Sequence, residues 1–331
     1  MQLVFVDPEM PGIARHKAGT GWTYRNAEGT RITDLAEIER LNRIALPPAY
    51  VDSWYCPSPD GHIQAIGYDA RGRRQYRYHP DFRSKQDAAK YDRCADFGRA
   101  LPLLRARVET DLAGKPTERA TVIAAIVRLL DIARLRVGNE AYARDNKSFG
   151  ATTLRTRHAR ISGSTLSLEY RAKSGIMRKL AISDKGLLRV VRKVQDLPGQ
   201  QLFQYLDDSG EARPIGSADV NAYIREAMGD DFSAKHFRTW GASVIALEQV
   251  LTASRSNTTL KLIDVLEPVA QALGNTPTIA RKSYVHPLVL DLVTVECAAD
   301  RRPRKTRWLT GTERALIDKL DAGARDLSKV A

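Results

Sequence analysis

The segment Arg281-Lys282-Ser283-Tyr284 places a tyrosine just after two cations. Tyrosine has an ordinary pKa of about 10 and is then a poor nucleophile, but concentrated positive charge favours the phenolate, which can attack a phosphate. Most tyrosines in such surroundings are merely half-buried, so the signal is weak by itself. It identifies Tyr284 as a candidate nucleophile for phosphoryl transfer.

Several other polar side chains have types and positions suited to stabilising or protonating a reacting phosphate. Each also has a plain structural explanation, as a helix-terminal arginine, a solvated loop-tip lysine or a solvated basic helix face. These candidates are Arg136, where an apolar helix is predicted to end at Gly138, Lys173 beside the turn Ser174-Gly175, Lys235 and Arg238 near the start of a predicted helix, and Asn275 in the break Gly274-Asn275-Thr276-Pro277.

A basic and aromatic cluster lies much earlier in the chain. Its arginines can contact phosphates and its tyrosines can pack against sugars or bases, so we expect it to bind DNA. The alternative is a solvated basic edge. The cluster consists of Arg71, Arg73, Arg74, Tyr76, Arg77 and Tyr78.

Two regions of different sequence pattern must position these residues. Residues 1–83 contain short apolar runs at 3–6 and 63–66, turn signals, and one predicted helix at about 35–44. This pattern predicts a small β-rich domain. Residues 84–331 are predicted to form a second, larger and mainly helical domain, so the fold class is α+β.

The second region contains long segments in which apolar residues recur with the period of an α-helix. In the helix predicted over 117–135, with Thr117 as its N-cap, apolar residues recur at helical spacing and predict one buried face. Between about 154 and 182 the period drops to two, which predicts a small antiparallel sheet. Further helices are predicted at about 88–108, 184–195, 217–228, 234–252, 257–273 and 312–319.

The charge balance favours a polyanionic partner. The 331 residues include 52 Lys and Arg against 39 Asp and Glu, a formal net charge of +13, and most of this excess follows residue 80. A basic protein of ordinary globular composition is typical of nucleic-acid binders. Composition therefore excludes a disordered or fibrous chain and makes nucleic acid the leading class of partner.

Other signals limit the class of protein further. No apolar run is long enough for a membrane span and no secretory signal is evident, so we expect a cytoplasmic protein. The three cysteines, Cys56, Cys94 and Cys297, are far apart and are expected to be reduced and structural. We find no Gly-Lys-Ser/Thr phosphate loop and no carboxylate cluster for Mg²⁺, so we expect no cofactor.

The order Arg136, Lys173, Arg238, Asn275, Tyr284 is far more specific than any of its members. It resembles the type IB DNA topoisomerases, in particular the compact poxvirus-like and bacterial enzymes. The resemblance extends over nearly the whole chain, including residues 54–57 and 72–78, and is least specific after about residue 294.

The resemblance implies that the two domains close as a clamp around duplex DNA. In family terms Tyr284 matches the nucleophile, and Arg136 and Arg238 match the arginines on the scissile phosphate. Lys173 matches the hairpin lysine that can protonate the leaving oxygen. The fifth position usually holds histidine in a Gly-His-Thr-Pro motif, whereas this chain has Asn275, as some bacterial members do. Asparagine can donate a hydrogen bond but carries no charge, so we expect an effect on rate.

The implied activity is relaxation of supercoiled duplex DNA through transient single-strand cleavage, a 3′-phosphotyrosyl intermediate and religation, without ATP or metal. We expect a monomer that acts at the bacterial nucleoid. The expected DNA contacts are Arg71, Arg73, Arg74, Tyr76, Tyr78, Tyr142 and Lys235.

Two other activities fit part of the pattern. Tyrosine recombinases share the catalytic fold and the Arg, Lys, Arg, Tyr chemistry, but they generally have histidine three residues before the second arginine, where this chain has Lys235. A DNA-binding protein that has kept the fold without catalysis is the third possibility. The intact set of Arg136, Lys173, Arg238 and Tyr284 argues against it.

Overall fold

The computed structural model of the chain describes residues 3–70, 72–256, 258–293 and 303–328. The chain divides into two compact units, Met1–Lys90 and Tyr91–Ala331. The first is built on an antiparallel sheet and the second is mainly helical with small sheets. The predicted α+β class is thereby confirmed.

The first unit is built on a five-stranded antiparallel sheet with the strand order β2-β1-β3-β4-β5. Its core packs the aromatic rings of Tyr24 and Tyr55 edge to face, with Leu41 of the helix against the sheet. Its elements are β1 (Ile13–Ala18), β2 (Gly21–Arg25), α1 (Leu35–Arg43), β3 (Val51–Tyr55), β4 (Ile63–Tyr68) and β5 (Arg74–Tyr78), followed by α2 (Pro80–Asp92).

The apolar run at residues 3–6 does not form a strand. Val4 makes a single bridge to Gly61, with its amide donating to the Asp60 carbonyl at 2.9 Å. Phe5 is largely exposed rather than packed into the sheet. A short apolar run gives no information on whether a neighbouring strand is available to pair with it.

The helices of the second unit are α3 (Cys94–Leu112), α4 (Arg119–Ala133), α5 (Glu140–Asn146), α6 (Lys185–Val194), α7 (Ser217–Met228), α8 (Ala234–Arg255), α9 (Leu262–Leu273), α10 (Pro277–Ser283), α11 (Pro287–Asp291) and α12 (Gly311–Ser328). The helix α4 lies at the centre of the second unit and packs against α3, α6, α7 and α8. Because α4 is buried on nearly every side between residues 121 and 130, it is a central helix rather than one with a single buried face.

Two small sheets complete the second unit. The predicted antiparallel sheet has three strands in the order β6-β7-β8, formed by β6 (Ala159–Ser162), β7 (Thr165–Arg171) and β8 (Met177–Ile182). A two-stranded ribbon pairs β9 (Gln204–Leu206) with β10 (Ala212–Pro214).

Several predicted helix limits are wrong. The N-cap of α4 is Glu118, not Thr117. The helix predicted from residue 88 is divided at Arg93, whose backbone leaves the helical region. The helix predicted from residue 257 starts only at Leu262, after Lys261, whose amide donates to the Asp264 side chain. Local hydrogen bonds of this kind set helix ends without changing apolar periodicity.

Cys56 and Cys94 are buried and not disulfide-bonded. Cys297 lies outside the described residues. Within the described part of the chain, no helix is long and apolar enough to cross a membrane.

Candidate active site

Arg136 lies in an extended segment that follows α4. The helix ends at Ala133, well before Gly138, because Arg134 adopts a left-handed conformation (φ 54°, ψ 36°). The expectation that the helix continues to the glycine is therefore wrong. The Arg136 carbonyl accepts from the Ala151 amide at 2.8 Å, so the segment is held against the next loop.

Two glycines allow that close approach. A Cβ added at Gly150 would lie 2.6 Å from the Arg136 carbonyl oxygen and 2.6 Å from the Gly138 nitrogen. Gly138 itself has φ +104°, a conformation that other residues rarely adopt. The backbone that carries Arg136 is therefore closely packed against the loop that contains Gly150.

Arg238 lies on the first turns of α8 and is only 4% exposed. Its Nη1 donates to the Arg134 carbonyl at 2.6 Å and its Nη2 donates to the Leu273 carbonyl at 3.2 Å. Lys235, three residues earlier, is exposed. The interpretation of Arg238 as part of a solvated basic helix face is therefore wrong.

The left-handed turn at Arg134 also depends on α8. The Arg134 side chain is half-buried and crosses Gly241 so closely that a Cβ added there would lie 2.3 Å from Arg134 Nε. Arg134 therefore supplies the carbonyl that orients Arg238, and Gly241 supplies the space that Arg134 occupies.

Asn275 lies in the break between α9 and α10. Gly274 ends α9 in the left-handed conformation, and the Asn275 amide donates back to the Ala270 carbonyl at 2.9 Å. The side-chain Oδ1 accepts from Arg136 Nη2 at 3.0 Å. Among the described residues, the buried Asn275 Nδ2 has no hydrogen-bond partner. The hydrogen bond from Arg136 therefore orients the Asn275 side chain, whose Nδ2 remains a donor without a described acceptor.

Tyr284 immediately follows α10, with the Arg238 guanidinium carbon 4.7 Å from its ring centroid. The next residue, Val285, is fully buried, and the His286 amide donates to Ser243 Oγ at 3.0 Å. Burial alone would raise the pKa of Tyr284, but the charges of Arg238 and Arg136 outweigh it, and the pKa lies below the ordinary tyrosine value. The phenolate therefore forms more readily here than in a free tyrosine.

A small cavity with room for about one water molecule lies beside these groups. Its walls include three arginines, Arg136, Arg178 and Arg238, together with Tyr170. None of the three arginines forms an ion pair with a described carboxylate, because their side chains donate to the Asn275 side chain or to backbone carbonyls, and Arg238 Nε has no described hydrogen-bond partner. Buried cations without counter-charges and donors without acceptors fit an anion, such as a phosphate.

Lys173 does not join this group. It is exposed at the β7–β8 hairpin tip, in the short 3₁₀ turn Lys173–Gly175, where Ser174 has a left-handed backbone (φ 65°). Lys173 is not among the described residues that line the cavity. The structure thus brings together Arg136, Arg238, Asn275 and Tyr284, and leaves the lysine at a solvent-exposed tip.

The aromatic residues of the N-terminal cluster lie on β5. Tyr76 and Tyr78 are stacked at a centroid distance of 5.9 Å and remain 40% and 45% exposed. Arg73 pairs with Asp69 at 2.7 Å and Arg74 pairs with Glu9 at 2.9 Å. The two tyrosines therefore present an accessible stacking surface, while both arginines already contact carboxylates.

The other residues predicted to contact DNA are Arg71, Tyr142 and Lys235. Arg71 lies outside the described residues. Tyr142 is half-buried on α5, where Asn139 caps the helix by accepting from the Tyr142 amide at 2.9 Å. Lys235 is exposed on α8.

Sequence reasoning missed Arg178. It is 8% exposed and lies on β8 opposite Tyr170 of β7. The signal was available, because Arg178, Leu180 and Ile182 share one phase of the alternating strand, and the other two are apolar. An arginine in the buried phase of a strand needs acceptors or an anion.

No group of three or more His, Cys, Asp or Glu side chains in the described ranges is arranged to hold a metal ion. The polar groups at the site are cations, an amide and phenols, which do not suit a divalent cation.

Comparison with known proteins gives two family matches. Residues 79–299 match the family model described as "Eukaryotic DNA topoisomerase I, catalytic core". Residues 21–69 match "Bacterial DNA topoisomerase IB, N-terminal domain".

Individual relatives agree with these matches. DNA topoisomerase 1B of Acanthamoeba polyphaga mimivirus is 32% identical over 294 residues, covering 86% of this chain and 88% of the relative. DNA topoisomerase 1B of Vaccinia virus (strain Copenhagen) is 22% identical over 237 residues, covering 69% and 71%. Among solved structures, the pre-cleavage complex of the XerH site-specific recombinase bound to difH substrate has a TM-score of 0.36 and 13% identity, covering 56% of this chain and 49% of that chain.

Proposed function

Because the chain belongs to the type IB DNA topoisomerases, we propose that it relaxes supercoiled duplex DNA by transient cleavage of one strand through Tyr284. The observation that carries this proposal is the position of the Tyr284 phenol beneath Arg238 and beside unpartnered donors. Of the activities considered from the sequence, a topoisomerase is the one that agrees with the family membership.

The cleavage step follows from the groups around Tyr284. The phenolate oxygen attacks phosphorus, the new P–O bond gives a 3′-phosphotyrosyl link, and the bond to the 5′ oxygen breaks. Arg136, Arg238 and Asn275 donate to the non-bridging oxygens, where negative charge builds up. Fixed donors in a buried site stabilise that charge without reorganising during the reaction.

Lys173 is the proposed general acid. The departing 5′ oxygen is a strong base, so a proton delivered to it lowers the barrier. The exposed hairpin tip can enter a groove of bound DNA and bring the ammonium to that oxygen. The 5′ hydroxyl then attacks the phosphotyrosyl link in the reverse reaction, which returns the proton to Lys173 and frees Tyr284.

The phosphotyrosyl bond retains the energy of the broken phosphodiester. Religation therefore needs no ATP, and the arginines take the charge-stabilising role that a metal has in other phosphoryl-transfer sites. We propose that neither a nucleotide nor a divalent ion is required.

We also propose a division of labour between the two parts of the chain. Residues 1–83 act as a clamp on DNA, with the accessible stack of Tyr76 and Tyr78 as a contact surface, and residues 84–331 carry catalysis. Because Arg136, Arg238, Asn275 and Tyr284 all lie in the second unit of the chain, we propose that the protein acts as a monomer. We further propose that the protein works at the DNA, in the bacterial cytoplasm at the nucleoid.

The test is relaxation of plasmid DNA in EDTA without nucleotide. We expect both positive and negative supercoils to be relaxed, with a covalent protein–DNA adduct after rapid denaturation. Tyr284→Phe should bind DNA without forming the adduct, whereas Tyr205→Phe, at a half-buried tyrosine on β9, should behave as wild type. A strict need for Mg²⁺, relaxation of one sign only, or an adduct in Tyr284→Phe would refute the mechanism.

A further inference from the structure

Arg178 connects two elements that carry proposed active-site groups. It lies on β8, directly opposite Tyr170 of β7, in the hairpin whose tip carries Lys173. Its guanidinium reaches out of the sheet to the end of α9, the helix that precedes Asn275. One buried side chain thus spans the distance between the two elements.

The contact with α9 is made by both terminal nitrogens. Nη1 donates to the Gln271 carbonyl at 2.6 Å and Nη2 donates to the Ala272 carbonyl at 2.8 Å. These carbonyls belong to the last turn of a helix, where a cation is favoured, and the Gln271 carbonyl also accepts from the Gly274 amide at 3.3 Å. Arg178 therefore fixes the end of α9 with charge-assisted hydrogen bonds.

The same side chain packs against the turn that begins the break. Gly274 has φ +62°, and a Cβ added to it would lie 2.7 Å from Arg178 Cδ. The Asn275 amide is anchored to Ala270 in the same helix end. The position of the Asn275 side chain, and so of its free Nδ2, depends on where Arg178 holds this turn.

We propose that Arg178 is a positioning residue that ties the Lys173 hairpin to the Asn275 turn, so that both groups meet the same phosphate. The inference rests on the proposed cleavage by Tyr284. Arg178 makes its two hydrogen bonds within the protein, and it acts on the reaction by fixing the groups that touch DNA.

The chain offers a matched control for this role. Arg189 is half-buried on α6, and its Nη2 donates to the Leu112 carbonyl and, at 2.7 Å, to the Gly114 carbonyl, just at the end of α3. It is also an arginine that holds the end of a helix, but it is not among the described residues that line the cavity. Arg178→Met and Arg189→Met remove the same chemistry at two places.

The first measurement is the rate of covalent adduct formation on plasmid DNA with enzyme in excess and DNA saturated, together with DNA affinity and melting temperature. We expect Arg178→Met to react on the order of 100-fold more slowly at saturating DNA, as displaced catalytic groups do. Arg189→Met should lose similar thermal stability but react at the wild-type rate. Equal rates in the two variants would overturn the inference.

The second measurement is a double-mutant cycle with Asn275→Ala. If Arg178 acts through Asn275, its substitution should slow the reaction far less in the Asn275→Ala background than in wild type. Rate losses that simply multiply would overturn the inference. Arg178→Lys, which keeps the charge and one donor, should have an intermediate rate, and it replaces Arg178→Met in the cycle if that variant does not fold. Absence of adduct in the wild-type protein would refute the proposed function itself.

Discussion

A single charged side chain illustrates how the site differs from an ordinary protein interior. Arg238 is buried beside Arg136 and Arg178, and its described partners are backbone carbonyls rather than carboxylates. Burying cations near one another is unfavourable unless a counter-charge is supplied. A DNA phosphate would supply that charge, so the arrangement favours binding of an anion over stability of the free protein.

The lowered pKa of Tyr284 predicts the pH dependence of cleavage. Since the neighbouring arginines favour the phenolate, the cleavage rate should rise with pH and level off below the ordinary tyrosine value of about 10. Arg238→Gln removes the strongest of these charges, so the rise should move to higher pH, in addition to any loss of rate. Single-turnover cleavage measured across a pH series checks both profiles.

The control for this prediction is Arg192→Gln, at an exposed arginine on α6 whose Nη2 donates to the Gly163 carbonyl at 2.6 Å. Its profile should coincide with that of wild type. A profile in Arg238→Gln with the wild-type midpoint would contradict the assigned electrostatic effect.

Most of the residues at the candidate site, but not all of them, could be predicted from the sequence. The order from Arg136 to Tyr284 was enough to choose candidates, and the structure brings four of the five together. The burial of Arg238 was not predictable, because Lys235 and Arg238 share one helix face in sequence and only the packing of α8 against Arg134 and Leu273 separates them. Arg178 was missed because its acceptors lie on a distant helix.

At the scale of elements, α12 is held to the helices of the site by a buried charged cluster. Arg105 of α3 donates to Asp131 of α4 at 2.8 Å and to Glu313 of α12 at 2.7 Å. Glu313 also accepts from Trp240 Nε1 of α8 at 3.3 Å. One carboxylate therefore joins α12 to the central helices whose ends carry Arg134 and Arg238.

We predict that Glu313→Ala destabilises the protein by about 3–5 kcal/mol, because it leaves the buried Arg105 with one partner fewer. The hydrogen bonds from Arg105 hold the pKa of Glu313 below its usual value despite burial. The stabilisation is thus complete above the ordinary glutamate pKa and is lost as the pH falls through the lower folded value. Chemical denaturation of both proteins at a series of pH values measures this.

Glu109→Ala provides the comparison, since Glu109 pairs with Arg307 at 3.0 Å on the exposed surface. Such pairs contribute about 0–1 kcal/mol. A loss in Glu313→Ala no larger than that in Glu109→Ala would show that the cluster does not hold α12.

The hairpin leads to a different prediction, because its lysine lies at an exposed tip and is not held by packing. If Lys173 protonates the leaving 5′ oxygen, replacing that oxygen by sulfur, a far better leaving group, should restore much of the cleavage lost in Lys173→Ala. Arg238→Ala should not be rescued, because its proposed role is to stabilise charge at the non-bridging oxygens. Cleavage rates on the oxygen and sulfur substrates decide this; equal rescue of both variants would mean that Lys173 only positions DNA.

The positions of elements with a strong apolar period were predicted correctly from the sequence. The residues at which those elements begin and end were predicted less well. The three-stranded sheet and α7 lie where apolar spacing put them. The limits of α4, α8, α9 and α12 differ, since they depend on caps such as the left-handed Arg134 and on packing against other helices. The short helices α5, α10 and α11 contain too few residues to show a period.

At the scale of the whole molecule, the formal net charge of +13 dominates the expected behaviour with DNA. Each phosphate contact releases condensed counterions, so DNA affinity should fall by orders of magnitude between about 50 and about 200 mM salt. Fluorescence titrations over that range measure the slope. A flat salt profile would be incompatible with a clamp that contacts many phosphates.

Two lysines make this prediction specific. Lys235→Gln should reduce the slope by about one if the exposed ammonium contacts a phosphate. Lys179→Gln should leave the slope unchanged, because Lys179 already pairs with Glu169 at 3.0 Å. Equal slopes in wild type and Lys235→Gln would remove Lys235 from the DNA contacts.

The crossing of Arg134 over Gly241 has a consequence for sequence variation among relatives. A residue larger than glycine at position 241 would push the arginine aside and with it the carbonyl that holds Arg238. A relative with a bulkier residue there must therefore have a smaller one at position 134, with glycine or asparagine best able to keep the left-handed turn. The two positions should change together through evolution, although neither residue is one of the proposed catalytic groups.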